Sequence, residues 1–332
     1  MNQSNPEKTL LDCRNLSVTF KLDQGHFKAV DDISFQLNTG EILGVVGESG
    51  CGKSMTALAL LDLVPEPGTV SSGRILFQGT PLREKSEQEM QEIRGDRIAM
   101  IFQEPMTSLN PVFRIGRQVS EALLLHRDIS REAAREQAIA ALAKVGIPAP
   151  EKRYREYPHQ LSGGMRQRVM IAMAMSCEPA LLIADEPTTA LDVTIQAQIL
   201  DLMRQLVRKT RMSVLFITHD LGVVAEMCDR VVVMYAGKII EKAPVEDLFE
   251  NPYHPYTVNL LESIPKIDRK IDQLSIIPGT VPGIQELMSE GCRFAPRCSM
   301  AQPLCRTTSP ELRVLPNGRM VACHRVTEEG LS

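Results

Sequence analysis

The chain has 332 residues, of which 43% are hydrophobic and 23% are charged, and it carries a net charge of −4. These values are typical of a globular protein with a sizeable core, and they exclude a bulk charge that would attract nucleic acid or an anionic lipid surface. Because no run approaches the roughly 18 apolar residues of a membrane-spanning helix and the first residues do not resemble a signal peptide, we expect a cytosolic protein unless a partner holds it at a membrane.

The first part of the chain is predicted to form strands. Residues 10–20 and 27–46 are rich in strand-forming residues and are broken by polar turns. From residue 41 onward, strands alternate with helices, as in α/β folds with a parallel sheet. Three buried strands are predicted at 41–46, 181–185 and 213–218.

Two charged stretches are predicted to be helices inserted between these strands. In residues 84–97 and 117–145, apolar residues recur about every 3.6 residues, which is the period of an α-helix. After residue 242, frequent prolines interrupt any long element, so residues 243–332 are predicted to form an irregular appended domain.

A glycine-rich segment follows the first buried strand. Residues 47–54, GESGCGKS, fit the pattern G-x-x-x-x-G-K-[ST] in the strand–loop–helix context that this phosphate-binding motif requires. Glycines let successive N–H groups point at phosphate oxygens, and the helix that begins near Lys53 adds the positive end of its dipole. We expect Lys53 to contact the β- and γ-phosphates and the Ser54 hydroxyl to reach Mg²⁺. The candidate nucleotide-binding residues are Gly47, Glu48, Ser49, Gly50, Cys51, Gly52, Lys53 and Ser54.

Two carboxylates end the strand at 181–185. Asp185 is placed to hold Mg²⁺ through a water molecule, and Glu186 to orient or deprotonate the water that attacks the γ-phosphate. A solvated acidic loop is the alternative, but a phosphate loop lies upstream and the strand should deliver both side chains to the same sheet edge. His219 follows the strand at 213–218 and could contact the γ-phosphate, although a lone histidine in a loop is usually structural.

A second candidate phosphate-binding helix start lies at residues 161–168, LSGGMRQR. Ser162 can cap a helix over 165–176, and Gly163 and Gly164 clear room for close backbone approach. A P-loop enzyme needs only one phosphate-binding segment in the same chain. The segment therefore predicts contact with a nucleotide held by another subunit.

Together these segments resemble the nucleotide-binding subunits of ABC transporters over roughly residues 8–245. The motifs that carry the resemblance are the phosphate loop, Gln103 in IFQEP, LSGGM (161–165), LLIADE (181–186), TALD (189–192) and His219. The resemblance implies an α/β fold: a P-loop NTPase core with a mixed sheet and a helical subdomain at about 104–176. A small, irregular, cysteine-rich C-terminal domain would follow at 246–332.

The resemblance also implies a head-to-tail dimer with two ATP molecules, each held between one subunit's phosphate loop and the other's LSGGM segment. It implies that Gln103 acts with Glu186 and His219, senses Mg²⁺ and links the nucleotide to membrane subunits. Asp192 would line the dimer seam. Phe20 occupies the position where the family stacks an aromatic ring on adenine, with Phe27 as the second choice.

Three further stretches are similar to the ATPase subunits of oligopeptide and dipeptide permeases, namely 102–111, 157–165 and 251–257. This likeness implies uptake of peptides, with two membrane-spanning permease subunits and an external solute-binding protein as partners. It implies a peripheral location at the cytoplasmic side of the inner membrane. Such importers commonly pair two different ATPases, so we expect a heterodimer, with a homodimer as the alternative. Residues 104–118 should receive a permease helix.

Other functions remain open. Importers of nickel and of other small solutes use the same type of subunit. A soluble ABC ATPase that acts on DNA or ribosomes would carry coiled-coil or zinc insertions or a second ATPase domain, and none is visible in the sequence, so we expect no nucleic acid partner. A P-loop kinase or GTPase leaves LSGGM, Gln103 and TALD unexplained.

Cys51 lies between two glycines of the phosphate loop. Lys53 and the helix start should lower its thiol pKa and make it reactive. We expect its alkylation to abolish ATP hydrolysis and bound ATP to protect it.

Four cysteines are clustered near the end of the chain, at Cys292, Cys298, Cys305 and Cys323. Their wide, unequal spacing does not fit the short pairs of common zinc modules, and four thiolates can hold either zinc or an iron–sulfur cluster. Between residues 290 and 326, six arginines against two acidic residues leave a net charge of +4 to balance such thiolates. The permease likeness points to a 4Fe–4S cluster, with Zn²⁺ as the alternative; His324 could replace Cys323 as a ligand.

Overall fold

The structure is a computed structural model that describes residues 9–103, 108–189, 191–263, 277–287, 290–327 and 330–331. The chain divides into two compact units. The first unit contains residues up to 37, residues 42–83 and residues from 217 onward, and the second contains residues 38–41 and 84–216. No helix in the described ranges is both long and apolar enough to cross a membrane.

The first unit contains a four-stranded sheet with the order β2-β1-β4-β5. Its strands are β1 (Thr9–Leu22), β2 (Gly25–Asn38), β4 (Gly68–Phe77) and β5 (Thr80–Pro81). β1 and β4 run antiparallel, with Phe20 opposite Gly68. The stretch at 27–46 is broken by a turn as predicted, because a turn after Asn38 separates β2 from the buried strand β3 (Ile42–Val46).

β3 leads directly to the phosphate loop and pairs in parallel with β9 (Arg230–Tyr235). β10 (Lys238–Pro244) lies antiparallel to β9, and β12 (Met320–Val321) extends the sheet next to β10. Residues close to the end of the chain thus form hydrogen bonds with strands of the sheet that contains β3. The remaining strands of this unit are β11 (Arg313–Val314), which pairs with β12, and the hairpin of β13 (Val326–Thr327) and β14 (Gly330–Leu331).

In the described part of the first unit, the α-helices are α1 (Lys53–Leu60), α8 (Leu221–Met227), α9 (Val245–Glu250), α10 (Pro255–Glu262) and α11 (Pro303–Thr307). Three buried aromatic rings connect β9, α10 and the C-terminal segment, which we define as residues 277–331. Tyr235 lies 4.8 Å from Tyr256 and 5.2 Å from Phe294 between ring centroids. This apolar contact fixes the C-terminal segment against the strand that neighbours β3.

The second unit contains the parallel strands β6 (Ile98–Ile101) and β7 (Leu181–Asp185). The helices that the structure describes there are α2 (Glu87–Ile93), α3 (Ile115–His126), α4 (Arg131–Lys144), α5 (Pro150–Arg153), α6 (Gly163–Met175) and α7 (Val193–Thr210). The predicted helix at 117–145 is two helices, because the Ser130 side chain accepts a hydrogen bond from the Ala133 N–H and caps α4. Strand β8 (Ser213–Thr218) begins in this unit and ends in the first.

Candidate functional site

The phosphate loop has the predicted strand–loop–helix geometry, because it runs from the end of β3 to the start of α1. Gly47, Gly50 and Gly52 adopt φ values of 152°, 79° and 101°. A side chain at Gly52 would also place its Cβ 2.7 Å from the carbonyl oxygen of Ala29. Both the backbone conformation and the lack of space therefore require glycine at the residue before Lys53.

Lys53 is almost completely buried, with 4% of its surface exposed. Its ammonium group donates hydrogen bonds to the carbonyl oxygens of Gly47 and Glu48 at 2.8 and 3.1 Å. The charge of the lysine is thus held inside the curl of the loop. Ser49 and Gly50 lie exposed at the tip, whereas Ser54 lies half-buried in the first turn of α1.

Cys51 does not have the low thiol pKa predicted from its neighbours. Its side chain is fully buried, and burial raises the pKa of the thiol more strongly than nearby Lys53 lowers it. The prediction of a low pKa was wrong, because the helix start and the lysine are visible in the local sequence whereas the burial is created by the tertiary fold. At neutral pH the thiol stays protonated, so it is a poor nucleophile.

Phe20 lies near the end of β1, half-buried, and its ring lies against Gly68, where a Cβ would come 2.7 Å from the ring. Phe27 is also half-buried, in β2. The assignment of one of these rings to adenine stays a prediction. His219 lies exposed directly after β8, and the next residue, Asp220, caps α8 by accepting a hydrogen bond from the Gly222 N–H.

In the second unit, the predicted carboxylates lie at the end of β7. Asp185 is the last residue of the strand and is 4% exposed, and Glu186 follows with 8% exposed and a left-handed φ of 47°. Gln103 lies two residues after the end of β6, the parallel neighbour of β7, and donates a hydrogen bond from Nε2 to Oε2 of Glu186 at 3.0 Å. The fold thus brings together two predicted catalytic residues that are separated by 83 positions.

Thr189 is a third member of this group that sequence reasoning did not assign. Its hydroxyl donates to the same Oε2 of Glu186 at 2.9 Å. Two donors on one oxygen fix the orientation of the carboxylate. The signal was present in the sequence, because Thr189 begins the TALD motif three residues after Glu186.

The LSGGM segment begins α6 as predicted. The Ser162 side chain accepts a hydrogen bond from the Met165 N–H, and the helix begins at Gly163, two residues earlier than expected. Gly164 has a packing role within the unit, since a Cβ there would come 2.7 Å from Cγ2 of Ile195 in α7. Asp192 caps α7 by accepting a hydrogen bond from the Ile195 N–H at 2.9 Å, and it is exposed.

Part of the segment predicted to receive a permease helix, 104–118, lies outside the described residues, namely 104–107. The described remainder includes Val112, which is 71% exposed, and Gln118, which is buried. Gln118 accepts a hydrogen bond from the Asn110 N–H and donates to the carbonyl oxygens of Asn110 and Phe113. This buried amide fixes the loop that precedes α3.

The C-terminal cysteines converge. One cavity of about 20 Å³ is lined by Cys292, Cys298, Cys305 and Cys323 together with His254, His324, Arg325 and apolar side chains. Burial raises the pKa of Cys292 to about 11, and the nearby thiols of Cys323 and Cys305 also raise it. His324 has its Nε2 2.9 Å from the carbonyl oxygen of Thr308, so only its Nδ1 could act as a ligand while this contact is kept.

The fit of this cavity to a metal centre is partial. Four thiols, apolar walls and no lining carboxylate suit a soft metal or an iron–sulfur cluster. In the ranges of the chain that the structure describes, however, no three histidine, cysteine or acidic side chains stand in metal-binding geometry. The cavity volume of about 20 Å³ corresponds to a single ion or water molecule. The predicted 4Fe–4S ligand set is therefore not formed in this structure.

Comparison with protein families gives two matches. Residues 30–189 match the model described as ABC transporter, and residues 240–305 match the model described as oligopeptide/dipeptide transporter, C-terminal region. The first match contains the phosphate loop, the LSGGM segment and Glu186. The second match ends at Cys305 and includes three of the four clustered cysteines.

Curated relatives match over nearly the whole chain. The probable peptide ABC transporter ATP-binding protein y4tR of Sinorhizobium fredii is 52% identical over 98% of this chain and 98% of its own length. The oligopeptide transport ATP-binding protein AppD of Bacillus subtilis is 51% identical over 97% of this chain and 98% of its own length. The oligopeptide transport ATP-binding protein OppD of Salmonella typhimurium is 47% identical over 98% of this chain and 96% of its own length.

Solved structures show the same core. The dimeric bacterial ABC transporter cassette MJ0796 covers 71% of this chain and 98% of its own, with 26% identity and a TM-score of 0.63. The cbiO1 protein of Clostridium perfringens, part of the ABC transporter complex cbiONQ, matches over 74% of this chain and 92% of its own, with 28% identity and a TM-score of 0.62.

Proposed function

This chain belongs to the ABC transporter family as an ATP-hydrolysing subunit, and from that premise we propose that it energises the uptake of peptides. The observation that carries the proposal is the match of residues 240–305 to the C-terminal region of oligopeptide and dipeptide transporters, next to relatives near 50% identity that are named for peptide transport. An importer of nickel or another small solute is the second candidate, because it would use the same type of subunit.

The chain's own residues supply distinct parts of the ATPase reaction. The N–H groups of the loop and the buried Lys53 bind the phosphates, since both carry positive charge to anionic oxygens. Ser54, Gln103 and Asp185 carry the oxygen donors that Mg²⁺ prefers, and the ion, when bound, offsets the charge of the phosphates. Glu186 orients the attacking water and accepts its proton, while Gln103 and Thr189 hold the carboxylate in place. His219 and Phe20 are proposed to contact the γ-phosphate and adenine.

The proposed partners follow from the type of importer. A second ABC ATPase would complete each ATP site by presenting its own LSGGM segment, and a different ATPase chain is favoured over a second copy of this one. Two membrane-spanning permease subunits would hold the pair at the cytoplasmic side of the inner membrane. An external solute-binding protein would select the solute.

The solute class is tested in the source cell. We expect disruption of the gene to abolish uptake of a labelled tripeptide and to leave ⁶³Ni²⁺ uptake unchanged. The intact gene should restore peptide uptake, and a gene carrying Glu186→Gln should not. Loss of nickel uptake with normal peptide uptake would replace the peptide proposal by the small-solute one, and unchanged uptake of both would contradict the importer proposal.

We further propose that the four clustered cysteines hold a 4Fe–4S cluster with a structural role, forming a small C-terminal domain at 246–332. The support is their convergence on one cavity whose walls are mostly apolar. Arg325 also lines this cavity, and its charge opposes the rise in the pKa of the Cys298 thiol that burial causes. Zn²⁺ is the alternative occupant.

The metal is tested on the full chain purified without oxygen. We expect visible absorption, with about four iron and four sulfide per chain. Cys305→Ser should lose both, whereas Cys177→Ala, at a buried cysteine outside the cavity, should keep them. One zinc per chain without colour would establish the alternative, and a folded, ATP-binding protein without metal would contradict any metal centre.

A further inference from the structure

The C-terminal segment contacts the phosphate loop through a buried arginine. Arg297 has only 6% of its side chain exposed, and its guanidinium forms a two-pronged ion pair with Glu48, the second residue of the loop. Nη1 donates to Oε2 at 2.8 Å and Nη2 to Oε1 at 3.0 Å. This planar, bidentate geometry fixes the direction of the carboxylate as well as its distance, which a lysine would not do.

The rest of the guanidinium is held by the C-terminal segment itself and by β9. Nε donates to the carbonyl oxygen of Pro278 at 2.8 Å, Nη2 donates to that of Gly279 at 3.2 Å, and Nη1 donates to the Tyr235 hydroxyl at 3.3 Å. These contacts fix the Arg297 side chain independently of Glu48, so the ion pair with Glu48 costs little additional side-chain entropy.

Tyr256 of α10 makes a second contact with the same loop residue. Its hydroxyl accepts a hydrogen bond from the Glu48 N–H at 2.9 Å. Burial raises the pKa of Tyr256, so the hydroxyl stays neutral at any working pH. Both the backbone and the side chain of Glu48 are thus held by residues more than 200 positions away in the sequence.

A neighbouring arginine supports the other side of the loop indirectly. Arg293 donates to the Ala236 carbonyl oxygen and to Asp31, at 2.6 Å in each case. The next residue of that turn, Gly237, donates its N–H to the carbonyl oxygen of Cys51 at 2.9 Å. Arg293 follows Cys292 and Arg297 precedes Cys298, so both arginines lie beside cysteines of the cavity.

Glu48 is an unexpected charge for its position. The loop presents N–H groups and the Lys53 ammonium to a polyanion, and a carboxylate in the same loop opposes the binding of phosphate. We propose that Arg297 is a positioning residue for the phosphate loop. Its guanidinium neutralises Glu48 and, together with Tyr256, holds the loop in its phosphate-binding conformation. This inference rests only on ATP binding by the family and is independent of the transported solute.

The test measures ATP affinity and hydrolysis of the full chain. In Arg297→Met, the Glu48 charge is left without its partner, so we expect the Kd and KM for ATP to rise about tenfold, with a smaller change in kcat. Arg297→Lys should show an intermediate effect, because lysine keeps the positive charge but cannot donate two parallel hydrogen bonds to the Glu48 carboxylate. The matched control is Arg306→Met, which removes an exposed arginine next to Cys305 and should bind ATP normally.

The deciding variant is the double substitution Glu48→Gln with Arg297→Met. If neutralisation is the role of Arg297, removing the carboxylate should restore most of the ATP affinity, which would not happen if Arg297 only stabilised the fold. ATP affinity of Arg297→Met equal to wild type, or no recovery in the double variant, would overturn the proposal. Should Arg297→Met fail to fold, Arg297→Lys decides by the same two criteria, alone and combined with Glu48→Gln. Absence of ATP binding by the wild-type chain would instead contradict the assigned function.

Discussion

Replacing Glu186 by glutamine should stop ATP hydrolysis while leaving ATP binding intact. Glutamine has the same shape and can still accept hydrogen bonds from Gln103 and Thr189, but it cannot take a proton from water. Loss of a general base lowers rates by about 10²–10⁴-fold, which corresponds to roughly 3–5 kcal/mol of transition-state stabilisation. Phosphate release under steady-state conditions measures the rate, and binding of a fluorescent ATP analogue measures the affinity.

Glu178 provides a matched control for this substitution. It is also a glutamate of the second unit with a left-handed φ, at 52°, but it is exposed and pairs only loosely with Lys144 at 3.4 Å. Glu178→Gln should hydrolyse ATP at the wild-type rate. A Glu186→Gln protein that keeps more than about a tenth of the wild-type rate would contradict the assignment of a base, whose loss removes at least 10²-fold.

Replacing Lys53 by methionine should remove ATP binding itself. The buried ammonium is held by the carbonyl oxygens of Gly47 and Glu48, so its charge already points into the loop before a nucleotide arrives. Hydrogen bonds to charged groups contribute about 1.5–3 kcal/mol each, and loss of the phosphate contacts should lower the affinity roughly 10²-fold.

The comparison for Lys53→Met is Lys85→Met, which breaks a surface ion pair with Glu89. Surface pairs contribute little, so this variant should bind ATP as the wild type does. Titration calorimetry with ATP and Mg²⁺ measures both. Lys53→Met with an affinity within threefold of wild type would show that the loop N–H groups alone hold the phosphates.

Local sequence patterns predicted those parts of the site that are built from neighbouring residues. The phosphate loop and the cap at Ser162 each need a short run of residues, and both are found where expected. The carboxylates Asp185 and Glu186 follow a buried apolar strand, so their place at its end was also visible.

Contacts between distant residues left no such pattern. Nothing near Glu48 in the sequence indicates Arg297, and the pairing of Gln103 with Glu186 depends on two parallel strands becoming neighbours. For Cys51 the local pattern was present but misleading. Its neighbour Lys53 does lower the thiol pKa, yet the surrounding fold removes the thiol from water, and this burial raises the pKa by more. Burial is set by the whole fold, and a local pattern does not contain it.

The Arg297–Glu48 pair also has a consequence for the time at which the protein becomes active during its synthesis. The two residues are 249 positions apart, so at about 5–20 residues per second the ribosome makes Arg297 roughly 12–50 s after Glu48. During that interval the nascent chain exposes a phosphate loop that carries an unopposed carboxylate. We expect such chains, and products truncated before Arg297, to bind cellular ATP poorly until translation is nearly complete.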